Sequence, residues 1–280
     1  MMAVVAAAAL LPRFFVMGDG KLAIVNAHTN ERASVVYRRA DGSYDADALK
    51  KLRHVFASRG GGDEIDIPLR LVEVLSAVQG MSKRRELVLV SGYRSPTYNK
   101  DLKAKGRKVA GGSMHTEGLA ADLAFPREIL KDLWLEVRKL DCCGAGYYAK
   151  EGFLHVDVGK PRFWEAGTSR VDENLSAGNA RVFARTEFDR YDRGETIVVT
   201  LHGITVPPLR IAREARIGNR VVTVAGGRDA DACIEVDGPA VRLRITGTQA
   251  SDRMALLLRT CEPRVERTPE SVETGAIEVR

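Results

Sequence analysis

The spacing of apolar side chains changes several times along the first 165 residues. Residues 21–27 and 33–37 alternate or cluster apolar positions on either side of the polar turn Thr29-Asn30-Glu31-Arg32, which predicts a β-hairpin. After the Asp41-Gly42 turn the period lengthens. Asp45 stands as a helix cap before Leu49, Leu52, Val55 and Phe56, and Arg59-Gly60-Gly61-Gly62 stops the run. Residues 67–78 predict a second helix, with Leu71, Val74, Leu75 and Val78 on one face and Pro68 in its first turn. Residues 87–90 read as a short buried strand that delivers Gly92-Tyr93-Arg94-Ser95 at its end. Pro96 opens a short helix through Ala104. Asp122-Leu123-Ala124-Phe125 reads as a strand, and Pro126 starts a helix carrying Ile129, Leu130, Leu133, Trp134 and Val137. Residues 144–148 and 153–158 close as a hairpin through Lys150-Glu151-Gly152. Helices beside a small antiparallel sheet make this part, residues 20–165, α+β.

The pattern shifts near residue 165. Every lysine precedes Pro161, and every later basic residue is arginine. Residues 166–179 are small and polar, like a linker. Short β-type runs follow at 197–199, 221–224, 241–245 and 255–258, separated by turn residues. They predict a small all-β domain over 180–262, sandwich or barrel-like. The tail, 263–280, carries Pro263, Pro269 and several glutamates and is expected to be disordered. At the other end an alanine-rich apolar run, residues 3–11, stops at Pro12-Arg13. It matches the apolar region of a secretory signal and is too short for an ordinary membrane span. Residues 1–19 are therefore expected to be an export signal or short anchor, with no stable membrane span beyond it.

Composition narrows the partners. The chain has 280 residues and a net charge of +6, and the positive excess lies before Arg162. No dense basic run and no nucleic-acid motif appears, so nucleic acid is not expected as a partner. A mildly basic surface suits an anionic polymer such as cell-wall glycan. The four cysteines show no C-x-x-C spacing. Adjacent Cys142 and Cys143 read as core thiols. Cys233 and Cys261 lie on two predicted strands, and a bridge between them is left open. His54 reads as a surface histidine, and the glycine- and lysine-rich residues 106–112 as a mobile loop suited to covering a substrate.

The chemistry concentrates at Ser113-Met114-His115-Thr116-Glu117-Gly118-Leu119-Ala120-Ala121-Asp122 and Phe153-Leu154-His155-Val156-Asp157. His115, Asp122 and His155 make a three-ligand set that suits zinc and leaves a fourth position open. Gly118 and Ala120 let the backbone fold closely between the first two. Asp157 lies two residues beyond His155, on the same face of a strand, where it would orient a ligating imidazole.

These motifs resemble those of the D-Ala-D-Ala zinc metallopeptidases. The pattern Ser113-x-His115-x-x-Gly118-x-Ala120-x-Asp122 is similar to that group's zinc motif. Phe153-x-His155-x-Asp157-x-Gly159, Ser91-Gly92-Tyr93-Arg94-Ser95, Asn26-x-His28-Thr29 and Tyr37-Arg38 resemble most closely the MepK (YcbK-like) murein endopeptidases. The resemblance spans about residues 20–165. It implies zinc held by His115, Asp122 and His155, Arg94 near the substrate, peptidoglycan peptides as substrate, and a periplasmic or exported setting in the cell envelope.

One position departs from the wider group. Related dipeptidases carry an acidic general base three residues before the last zinc histidine, where this chain has Gly152; others carry a histidine two before it, where this chain has Phe153. Candidate bases are Glu151, Asp157 and, further down, Glu117, with His28 a distant outsider. The expected reaction is metal-assisted amide hydrolysis. Arg94 would hold a substrate carboxylate or the oxyanion, Ser113 would hold the loop or the peptide, and Tyr93 would line the groove. Carboxypeptidase action and a non-catalytic zinc-containing wall-binding module are the alternatives.

Overall fold

The structure, a computed structural model, describes residues 12–59, 62–106, 113–168, 177–238, 240–246, 251–265 and 267–280. The export-signal run at 3–11 lies outside the described residues, as do most of the expected covering loop (107–112) and of the linker (169–176).

The N-terminal half runs β1 (Lys21–Asn26), β2 (Arg32–Val36), α1 (Ala46–Val55), α2 (Leu69–Ser82), β3 (Leu87–Ser91), α3 (Pro96–Ala104), β4 (Ala120–Ala124), α4 (Arg127–Lys139), β5 (Gly144–Tyr148), β6 (Phe153–Asp157) and β7 (Arg162–Glu165). The strands form one sheet in the order β2-β1-β3-β4-β6-β5-β7. It is mixed, which corrects the expected antiparallel sheet: β1 pairs with β3, and β5 with β7, in parallel. The chain between β1 and β3 holds a returning strand and two helices, long enough to bring β3 back in the same direction.

The helices start where their caps dictate. The Asp45 side chain accepts the Ala48 N–H, and Ala48, Leu52 and Val55 turn inward from α1. Pro68 caps α2 from outside its first turn, and Lys83 ends it in the left-handed conformation. Leu71, Leu75 and Val78 of α2 join Leu22, Ile24, Leu87, Leu89, Leu123, Leu130 and Val137 in one core. Each fully buried leucine contributes about 2 kcal/mol, so Leu75→Ala would cost about 2–5 kcal/mol. Glu73, also in α2, is fully buried because four groups satisfy it: Tyr37 Oη at 2.7 Å, Arg38 Nε at 2.8 Å, Tyr44 Oη at 3.0 Å and Gly18 N at 3.1 Å. His54 is exposed, paired with Glu64.

The C-terminal half is all-β: β8 (Phe183–Thr186), β9 (Arg190–Tyr191), β10 (Ile197–His202), β11 (Leu209–Ile217), β12 (Arg220–Ala225), β13 (Arg228–Ala230), β14 (Cys233–Val236), β15 (Ala240–Thr246), β16 (Ser251–Thr260) and β17 (Ser271–Val279). Its sheet runs β8-β10-β15-β12-β11-β16-β17-β9, with β14 also on β11. β17 comes beside β8 as well, so the sheet curls on itself. The tail expected to be disordered is instead largely ordered: β17 pairs with β16 and with β9 and buries Val272, Ile277 and Val279. Cys233 and Cys261 are bridged, with Cα atoms 6.6 Å apart, closing the question left by the sequence. Cys142 and Cys143 are bonded to each other, which corrects their reading as thiols.

Residues 13–18, expected to belong to a signal or anchor, are built into the fold. Arg13 O accepts the N–H groups of Asp189 and Arg190, and Phe15 N donates to Asp189 Oδ2 at 2.9 Å. Phe14 is buried beside the Phe188 ring, and the Arg13 guanidinium lies 4.1 Å above that ring. Their partners stand some 175 residues further along, so nothing local in the sequence announces this strap. No described helix is long and apolar enough to cross a membrane.

Candidate metal centre

Strand register assembles the site. Ser91 of β3 pairs with Asp122 of β4, Asp122 with His155 of β6, His155 with Gly146 of β5, and Gly146 with Trp164 of β7. Residues paired side by side across a sheet share a face. Asp122 and His155 therefore stand together as a direct result of pairing. His115 arrives differently, from a short 3-10 turn, Met114–Glu117, capped by Ser113, whose Oγ accepts the His115 N–H. Gly118, at φ 69°, turns the chain back toward β4. His115 O accepts Arg94 N at 3.0 Å, which ties this turn to the end of β3.

The donor atoms of His115, Asp122 and His155 lie within 4.8 Å of one another. His155 Nδ1 is 2.8 Å from Asp122 Oδ1 and 3.3 Å from His115 Nε2. The outer nitrogens are fixed. His115 Nδ1 donates to Gly92 O at 2.8 Å, and His155 Nε2 donates to Asp157 Oδ2 at 3.0 Å. With these protons outside, both inner lone pairs point at one place, the arrangement of ligating imidazoles. Asp157 is held in turn by Arg162 Nη2 at 2.6 Å, Arg162 Nη1 at 3.0 Å and Gly159 N at 2.8 Å. Arg94 donates to Ser91 Oγ from Nε at 2.9 Å and to Asp122 Oδ2 from Nη2 at 3.2 Å. Its Nη1 makes no hydrogen bond among the described residues.

The electrostatics are those of a cation site. Burial pushes His115 down, and Asp122 only partly opposes this. Burial also acts to lower His155, but its hydrogen bonds to Asp122 and Asp157 carry it up to about 9. Burial acts to raise Asp122, but the two imidazoles hold it far below the carboxylate range. Burial likewise opposes ionisation of Asp157, and His155 and Arg162 bring it down to about 2. A proton on His155 thus sits where a metal cation would. Two nitrogens and one carboxylate oxygen are a donor set that fits zinc.

The other expected site residues are less uniform. Asp157 touches the outer nitrogen of His155 and not its inner face. Glu151 is exposed in the turn between β5 and β6, two residues before β6 begins. Among the described residues the converging donors are those of His115, Asp122 and His155, and Glu151 is not one of them. Glu117 does not face it either, because its carboxylate accepts from His202 Nδ1 and Gly203 N of the C-terminal half. Ser113 is buried with its hydroxyl turned to the loop backbone. Tyr93 is half-buried, its N–H donating to Phe56 O, and burial raises its hydroxyl. His28 is exposed in the β1–β2 turn.

Sequence reasoning missed Arg162, Trp164 and Tyr148. The Trp164 ring lies 5.2 Å from that of His155, and its Nε1 donates to Tyr148 Oη at 3.1 Å. Two glycines in β5 signal this arrangement. A Cβ on Gly146 would come 2.5 Å from the Trp164 ring, and one on Gly144 would come 2.3 Å from the Asp157 carboxylate. Glycine alternating in a strand marks close approach by something else; here it is the indole and the carboxylate.

Comparison with known proteins bears on the same segment. The family model described as "Peptidoglycan L,D-endopeptidase MepK" matches residues 17–164. The chain is 33% identical over 144 residues to the "Peptidoglycan L,D-endopeptidase MepK" of Escherichia coli (strain K12), covering 51% of this chain and 79% of that protein. It is 29% identical over 143 residues to the "Probable peptidoglycan L,D-endopeptidase MepK" of Haemophilus influenzae, covering 50% and 76%.

Proposed function

The chain belongs to the peptidoglycan L,D-endopeptidase MepK family, and we propose that it cuts peptide bonds in peptidoglycan stem peptides or cross-links with one zinc ion as its cofactor. It is a metallopeptidase by family. The observation that carries the zinc reading is the convergence of His115, Asp122 and His155, with both imidazoles hydrogen-bonded at their outer nitrogens. Bound there, zinc supplies a water of lowered pKa and polarises the scissile carbonyl.

The chain's own residues do the rest. Asp157 keeps the His155 proton on Nε2, so that Nδ1 is the donor. Gly92 O does the same for His115. Arg94 is fixed by Ser91 and Asp122 through Nε and Nη2, and Nη1, without a hydrogen bond among the described residues, is the nitrogen it offers to a substrate carboxylate or oxyanion. Trp164 and Tyr148 make a wall beside His155 that limits water and seats the peptide. Ser113 acts by holding the loop. Glu151 and Glu117 take no part as bases, and Asp157 stays ionised and positioning. We assign the peptidase to residues 20–165 and its place of work to the cell envelope, where its substrate is.

The test is incubation of zinc-loaded protein with purified muropeptides, with and without chelator, and separation of products by mass. Cross-linked dimers should fall to monomers only in the metal-loaded sample. Loss of a terminal D-alanine alone would make it a carboxypeptidase, and no cleavage would refute the assignment.

A further inference from the structure

The family match ends at residue 164, yet the C-terminal half reaches the supports of the metal cluster at two points. At the first, β10 ends in His202. Its Nδ1 donates to Glu117 Oε2 at 2.6 Å, and the next residue, Gly203, donates its N–H to Oε1 at 3.2 Å. Glu117 closes the same 3-10 turn that carries His115, and both its oxygens are taken by the other half. A four-residue 3-10 turn has little rigidity of its own. The contact is inside the protein: His202 is 7% exposed, and its ring stacks 5.1 Å from Phe183, which belongs to the N-terminal core.

At the second point Arg185 of β8 donates from Nε to Val158 O at 2.8 Å, and from Nη2 to Cys142 O at 3.2 Å and to Gly159 O. Val158 and Gly159 directly follow Asp157, and Gly159 N is one of the donors that fix its carboxylate. Val158 N in turn donates to Leu119 O, just after the His115 turn. The two contacts thus meet the two backbone segments that aim His115 and His155.

We propose that the C-terminal β half is a positioning part of the metal centre: His202 and Gly203 set the His115 turn through Glu117, and Arg185 sets the Asp157–Gly159 turn behind His155. Neither His202 nor Arg185 is a catalytic residue, since neither touches the ligand atoms. The inference rests on the zinc reading of the cluster and deepens it.

The test uses the full chain. His202→Phe keeps a ring on Phe183 and removes the donor to Glu117; His202→Asn restores a donor near the Nδ1 position. Zinc affinity is read by competition with a chelating dye, folded stability by denaturant midpoint, and kcat and KM separately on muropeptides. His202→Phe should weaken zinc about tenfold, the low end of losses from outer partners. It should lower kcat with little change in KM, and His202→Asn should recover most of both. A brace that is merely structural would shift the midpoint and leave zinc affinity of the folded protein at the wild-type value; that result overturns the proposal. Should His202→Phe fail to fold, Glu117→Gln is read in the same way: weakened zinc supports the proposal and wild-type affinity overturns it. A wild-type chain that binds zinc but cleaves nothing sinks the peptidase reading while the affinity comparison still decides this one. A wild-type chain that binds no zinc overturns both.

Discussion

Asp157→Asn separates an orienting carboxylate from a proton acceptor. In the native chain this fully buried group accepts four hydrogen bonds, one from His155, two from Arg162 and one from Gly159. The amide can keep the bonds to Gly159 N and Arg162 Nη1 with its oxygen. Its NH₂ then faces His155 Nε2 and Arg162 Nη2, both of which are donors. Two charge-assisted bonds are lost, each worth about 1.5–3 kcal/mol. The Arg162 side chain is 39% exposed and recovers part of this from water. A net cost of about 2–3 kcal/mol to the zinc-free fold follows. His155 is then free to hold its proton on Nδ1, the ligand position, so zinc should bind about 10–100-fold more weakly. The assay is denaturant unfolding with and without zinc, beside dye competition for the metal. The zinc-loaded form should lose a further ~1.4–2.7 kcal/mol relative to the zinc-free form, the same affinity loss read through linkage. Full zinc affinity in a variant without turnover would refute the reasoning and make Asp157 the base.

Three other outcomes are expected. Wild-type protein purified without chelator should carry about one zinc per chain, and His115→Ala and His155→Ala should carry essentially none by elemental analysis. Arg94→Lys should fold normally yet lose most of kcat/KM on muropeptides, because lysine cannot hold Ser91 and Asp122 and still present a third nitrogen. Gly146→Ala should displace the Trp164 ring from His155; a stability loss of about 1–3 kcal/mol and a fall in activity would show it, and an unchanged Trp fluorescence spectrum would count against it.

The His115–Asp122–His155 cluster was legible because strand pairing does much of the work. Asp122 and His155 are flagged by short motifs, and their strands place them opposite each other without any long-range surprise. Glu151 was a candidate base because it is near His155 in sequence, and it stands exposed in the β5–β6 turn. Glu117 was an open candidate because its partner, His202, is 85 residues distant. The tail was misread because its alternation breaks. Val272 and Thr274 face inward, and then Ile277 and Val279 do, one residue out of phase. An irregularity in the β16–β17 pairing absorbs the extra residue, so period two never runs long enough to be seen. Arg162 and Trp164 follow the last motif, and only the glycines of β5 hinted that something lay over that strand.

Placing two donors in one row of a sheet ties metal capture to the order of folding. A slip of one residue between β4 and β6 would move His155 to the far face of the sheet and set Asp122 against an apolar neighbour. No short peptide of this chain holds the three donors together, for they are spread over 41 positions and depend on a finished pairing. A metal ion held by these donors would therefore act as an inspector of the completed sheet and not as its nucleus. The same logic sets where the gene tolerates length changes. Residues added at the exposed β5–β6 turn leave the row intact, whereas one residue lost between Ala120 and Asp122 would disarm the enzyme while leaving most of its core to fold.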